Sequence, residues 1–161
     1  MTDVWKPSVT VAAIIEREGR FLLIEENTSD GIRINQPAGH LDPHESLLQA
    51  VVRETLEETA YDFTPTALVG VYMARYISAR TEKAVTYLRF AFCGDLGDQH
   101  NHALDEGILR TLWMSRDELE ACRQRHRSPQ VLICIDDYLH GQRAPLSMFN
   151  TDPSTYGVKH V

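Results

Sequence analysis

Three glutamates, Glu54, Glu57 and Glu58, stand close together in the segment GHLDPHESLLQAVVRETLEETAY, residues 39–61. At about 100° per residue, an α-helix that sets Glu54 at zero carries Glu58 to about +40° and Glu57 to about −60°. Leu48, Val52, Leu56, Thr55 and Thr59 then fall between about 100° and 200°. The spacing predicts one amphipathic helix, with the apolar face packed on a core and the carboxylates gathered on another face. Glu54 and Glu58 are like charges at i,i+4, which costs a few tenths of a kcal/mol when nothing lies between them. A hard divalent cation held by oxygen ligands reverses that sign. The competing reading is a solvated acidic face, as many surface helices carry.

The register around the glutamates is more specific than their clustering. A glycine, five residues, a glutamate, seven residues and then Arg-Glu-x-x-Glu-Glu resemble the Nudix hydrolase box, at Gly39, Glu45, Arg53, Glu54, Glu57 and Glu58. Thr55, Ala60 and Tyr61 depart from the family pattern, all at packing or helix-end positions. The segments VTVAAII, GRFLLIEE, NQPAGHL, YLRFAF, RSP and GQRAPL resemble the NudJ-like branch, phosphatases of nucleoside di- and triphosphates and of pyrophosphorylated thiamine precursors. The resemblance implies a Nudix-type α/β/α sandwich with a mixed central sheet and a catalytic loop–helix–loop. It also implies an enzyme acting on phosphoanhydride bonds with Mg²⁺, for which Mn²⁺ can substitute.

Phosphoanhydride hydrolysis needs neutralised phosphate charge, an activated water and a stabilised leaving oxygen. Glu57 and Glu58 match the family's metal-ligand positions. Glu54 takes either a metal or a general-base role, which the sequence leaves open. Arg53, four residues before Glu57, is spaced to orient that ligand. In the family the carbonyl of the residue at Gly39 coordinates the metal, and a side chain there would crowd the approach. A further acidic ligand is expected from a later loop; Glu106 is chosen over Asp105, with Asp95 and Asp98 more distant. Arg89 alternates with Tyr87 and Ala91 on a strand and is suited to grip a terminal phosphate. Arg33 and Arg75 are lesser candidates for that task, and Gln36 and His40 flank the glycine loop within reach of substrate. Glu45 reads as a helix cap. His100 and His102 lack a third ligand for a transition metal. Trp5 and Trp113 read as packing, and no GxxxxGK[ST] phosphate loop is present.

The elements that must position these groups are legible in outline. Val9–Ile15 and Phe21–Ile24 read as a hairpin turned at Arg17-Glu18-Gly19-Arg20. Ile32–Gln36 is a short extended piece before Pro37. Asp42-Pro43-His44-Glu45 reads as the start of the carboxylate helix. The patterns predict strands over Ala67–Ser78 and Ala84–Gly94, a loop over Asp95–Asn101 and a strand over Leu109–Met114. Two helices follow, the first capped by Ser115 and the second opened by Ser128-Pro129. Strands and helices interleave without regular βαβ spacing, which points to α+β.

With 161 residues, 43% of them hydrophobic, the chain is expected to form a single domain, residues 1–161, with an extended tail over 146–161. Its net charge of −7 argues against nucleic acid as a partner and makes bridging cations necessary for a polyanionic substrate. Cys93, Cys122 and Cys134 show no paired spacing, which fits a reduced, cytoplasmic setting. No apolar run is long enough to span a membrane. The expected partner is therefore a small phosphorylated molecule, bound by a monomer or homodimer. Two other functions compete: cleavage of nucleotide conjugates such as ADP-ribose or dinucleoside polyphosphates, and non-catalytic sensing of a phosphorylated ligand.

Overall fold

The computed structural model describes residues 4–78 and 81–157. Its strands are β1 (Ser8–Ile14), β2 (Glu16–Arg17), β3 (Arg20–Thr28), β4 (Gly31–Asn35), β5 (Ala38–His40), β6 (Tyr61–Ile77), β7 (Ala84–Gln99), β8 (Ile108–Ser115) and β9 (Ala144–Pro145). The helices are α1 (Leu47–Thr59), α2 (Arg116–Ala121) and α3 (Gln130–Leu139). The large sheet runs β5-β1-β7-β6-β9 and is mixed, with β1 and β7 parallel and the other pairs antiparallel. A smaller sheet pairs β3 with β2, β4 and β8.

One core layer lies under α1 and includes Val11, Ala13, Ile15, Leu22, Ala50, Val51 and Phe92. The other lies under α2 and α3 and includes Ala12, Ile14, Phe21, Leu23, Leu119, Leu132 and Ile135. Alternate residues of β1 and β3 serve opposite layers, as a strand buried on both faces requires. The result is an α+β sandwich with helices on either side.

Several sequence expectations change in detail. The predicted first hairpin is divided between the two sheets: β2 and β3 turn at Glu18-Gly19, both at positive φ, while β1 pairs with β5 and β7. α1 begins later than expected, because His44 takes a left-handed φ of 70° that no helix can propagate through. Ser46 is the true N-cap, in a reciprocal box with Gln49. Asp95–Gln99, expected as loop, continues β7 against β6, and Pro65 sits inside β6 where the register shifts.

The buried face of α1 carries Ala50, Val51, Glu54, Thr55, Glu58 and Thr59. Leu48, Val52 and Leu56, expected in the core, are half-buried and line an open apolar groove with Pro65. After β9, Leu146 and Phe149 pack on the α1-side core, with the Phe149 ring 5.5 Å from that of Phe92. The tail is thus anchored as far as Phe149; residues 158–161 of the expected tail lie outside the described residues.

Candidate active site

α1 carries the carboxylates, and the loop through β5 lies against them. The Ala38 amide donates to Glu58 Oε2 at 2.8 Å. Gly39 passes so close to Glu54 that a Cβ there would overlap its carboxylate, so only glycine fits without moving that side chain. Thr55 and Thr59 donate their hydroxyls back to the Val51 and Thr55 carbonyls, which hides polar side chains inside the helix–sheet interface.

Arg53 organises the exposed side of the cluster. Its guanidinium grips Glu45 through two hydrogen bonds of 3.0 and 2.8 Å. It also donates to Glu54 Oε1 at 2.8 Å, to Glu57 Oε2 at 3.0 Å and to the His40 carbonyl at 3.0 Å. Glu45 therefore anchors Arg53 instead of capping the helix, while also accepting from the Asp42 amide. The hydrogen bond from Arg53 is the main reason the Glu45 carboxyl lies below its usual range.

The two buried carboxylates behave in the opposite sense. Burial pushes Glu58 up to about 9, and the charges of Glu54, Glu26 and Asp105 add to the effect. Burial likewise raises Glu54, against the pull of Arg53. Both groups thus carry an excess demand for positive charge. Among the described residues no three such side chains converge into a ready-made cation cage, since Arg53 draws Glu54 and Glu57 toward itself. The donors nonetheless fit a hard divalent cation: they are all carboxylate oxygens, two of the side chains are buried, and Gly39 lets the β5 backbone approach Glu54 closely.

Both loop acids, Asp105 and Glu106, are exposed, and the charge of Asp105 adds to the effect of burial in raising Glu54 and Glu58. The Asp105 amide also binds the Glu57 carbonyl at 3.0 Å, fixing the loop to the end of α1. Asp95 and Asp98 lie along β7.

Arg89 is buried on β7 and donates to Asn35 Oδ1 at 3.1 Å. Among the described residues no carboxylate lies within ion-pairing distance of it, although Glu26 and Glu58 act on it electrostatically. Gln36 is also buried, but its amide nitrogen is spent on the Val131 carbonyl at 2.7 Å, a tie between the segment just after β4 and α3. Arg33 reaches the Gln124 carbonyl at 3.3 Å, and Arg75 is exposed. His100 pairs with Asp62 at 2.9 Å.

Two residues missed in the sequence lie near Arg89: Asn35 at the end of β4, which accepts from it, and Glu26 on β3, raised by burial and within 3.5 Å of the Asn35 amide. The available signal was the pair of glutamates closing the apolar run RFLLIEE.

The mixed sheet flanked by helices, with a glycine loop pressed on a carboxylate helix, is a Nudix-type α+β sandwich. The chain matches the NUDIX domain over residues 5–132 and belongs to the Nudix family. It is 36% identical to the phosphatase NudJ of Escherichia coli strain K12, over 96% of this chain and 99% of that one. A NUDIX hydrolase from Nitrosomonas europaea superposes with a TM-score of 0.84 at 45% identity, covering 91% of this chain and 98% of that one. The NUDIX domain of Shewanella oneidensis NrtR shares the fold at 18% identity, with a TM-score of 0.66 over 86% of this chain and 90% of that one. The protein is accordingly a hydrolase of phosphoanhydride bonds, from a family whose hydrolases use divalent metal ions. Among the described residues no helix is long and apolar enough to cross a membrane.

Proposed function

We propose that the protein is a Mg²⁺-dependent phosphohydrolase. It releases phosphate or pyrophosphate from nucleoside di- and triphosphates, or from related pyrophosphorylated small molecules such as thiamine precursors. The observation that carries this reading is Arg89, a buried guanidinium with no carboxylate within ion-pairing distance among the described residues, on which the charges of Glu26 and the buried Glu58 act. Burying an unpaired cation is costly unless an anion arrives to pair with it. A phosphate oxygen supplies that anion with hydrogen-bonding geometry matched to guanidinium.

In this reading Glu54, Glu57 and Glu58, with the Gly39 carbonyl, hold the cation, and Asp105 or Glu106 adds charge from its loop. When bound, the cation neutralises phosphate oxygens and lowers the proton affinity of a water. Glu54, adjoining Gly39, would either complete the ligand set or serve as the general base, an alternative the sequence leaves open. Arg53 keeps Glu54 and Glu57 in orientation, with Glu45 holding the far side of its guanidinium. Arg89 aligns the phosphate for attack, and Asn35 keeps the guanidinium in place.

The test is a phosphate-release screen across nucleotides, sugar nucleotides and thiamine pyrophosphates, with and without Mg²⁺. Orthophosphate or pyrophosphate from a simple di- or triphosphate supports the proposal. A nucleoside monophosphate released only from conjugates such as ADP-ribose supports the competing reading. Arg89→Gln should lower kcat/KM by about 10²- to 10³-fold, the usual cost of losing one charge-stabilising donor. Unchanged kinetics would remove Arg89 from the site.

A further inference from the structure

Tyr72, Ala74 and Tyr76 on β6 stand opposite Arg89, Tyr87 and Val85 on β7, so all six share one face of the large sheet. Rings line this face outward from the glycine loop. The His40 ring lies 6.3 Å from that of Tyr87, and the Tyr87 ring lies 6.4 Å from that of Tyr76. The row ends at a cavity of about 270 Å³, walled by Tyr76, His126, Arg127, Ser128, Pro129 and Leu132. Tyr76 is 38% exposed there, more than core packing would leave it.

The polar edge of the cavity has capacity to spare. Arg123, at its margin, is committed to Glu120 through two hydrogen bonds. Among the described residues Arg127 has only a distant pairing with Glu26, at 3.9 Å, and its side chain is 46% exposed. Ser128 Oγ accepts one long hydrogen bond, of 3.3 Å, from the Gln130 amide and keeps its proton to donate.

We propose that Tyr76 and Arg127 form a specificity subsite for a planar heterocycle joined to the phosphate chain. This subsite rests on the phosphohydrolase reading, because it accommodates what the phosphates are attached to. The ring stacks on Tyr76, with Pro129 and Leu132 covering its other side. Arg127 and Ser128 donate to hydrogen-bond acceptors on its edge. Stacking on an aromatic side chain tolerates many bases, so the subsite selects aromatic over aliphatic diphosphates. A plain structural role for the tyrosines would give no such selection.

Calorimetric titration with Mg²⁺ present tests this on three non-cleavable probes: the α,β-methylene analogues of ADP and UDP, and butyl methylenediphosphonate. Wild type should bind the better nucleoside analogue at least about 10-fold more tightly than the butyl probe, the lower range of stacking contributions. Tyr76→Ala should erase that preference, Tyr76→Phe should retain it, and Arg127→Gln should reduce it. A preference absent from wild type, or surviving Tyr76→Ala, overturns the subsite. Cleavage of butyl diphosphate by wild type, which needs no ring, reports separately on the phosphohydrolase reading.

Discussion

Arg53 shows how much of this site depends on a single side chain. Its guanidinium holds Glu45, Glu54 and Glu57 together, and its partners, Glu45 first, raise its own proton affinity so that it stays charged throughout. A lysine ammonium cannot reproduce that planar fork. Arg53→Lys should therefore lower kcat by about 10- to 100-fold, as expected for a residue that orients ligands. Steady-state kinetics with far-UV circular dichroism would check this, and an intact fold with unchanged kcat would contradict it. The grouping of Arg53 with the three glutamates was legible in the sequence because helical geometry decides which residues at i,i+3 and i,i+4 meet, and because their spacing from Gly39 and Glu45 resembles the family box. Glu26, Asn35 and Arg89 were harder to assemble, since each comes from a different strand and only the sheet pairings bring them together.

Among the elements, α1 ends under strain. Ala60 occupies a left-handed C-cap at φ 60°, where the family box has glycine. That conformation costs a non-glycine residue about 1–2 kcal/mol. Glycine would give back about 0.4–1 kcal/mol through greater freedom of the unfolded chain. Ala60→Gly should thus stabilise the protein by up to about 1.6 kcal/mol, read as a higher urea midpoint at unchanged slope. A lower midpoint would show that the buried Ala60 methyl matters more than the backbone. The end of α1 was legible in the sequence, but its start was not. Asp42-Pro43 has the composition of a helix start, yet Glu45 is drawn to Arg53 and His44 adopts a left-handed turn. Leu48, Val52 and Leu56 misled for a related reason. The helix turns its small and polar residues inward to bring Glu54 and Glu58 toward the Gly39 loop, and the larger aliphatics are left on an open groove.

At the scale of the whole molecule, the acidic chain uses its arginines to join separate parts. Glu25 on β3 binds Arg110 from β8, at 2.7 Å, and Arg125 from the turn that precedes α3. The Arg110 hydrogen bond is the foremost cause holding the Glu25 carboxyl below its ordinary value of 4.5. Because its pKa is lower folded than unfolded, its stabilising effect is fully present above 4.5 and fades as pH falls through the folded value. Glu25→Gln should lower the urea midpoint near pH 7, and the gap to wild type should narrow as pH falls below 4.5. A gap that stayed constant with pH would assign the loss to packing. The α+β class was visible in the alternation of strands and helices. The partition into two sheets was not, because it depends on β1 leaving β3 to pair with β5 and β7. The proposed activity depends most on the α1 carboxylates. Its most direct test is Mg²⁺-dependent phosphate release by the Glu57→Gln, Glu58→Gln double variant. A loss of at least about 10³-fold in kcat, as expected when the cation's charge is no longer held at the reacting phosphate, is the predicted result. Wild-type turnover from that variant would contradict it.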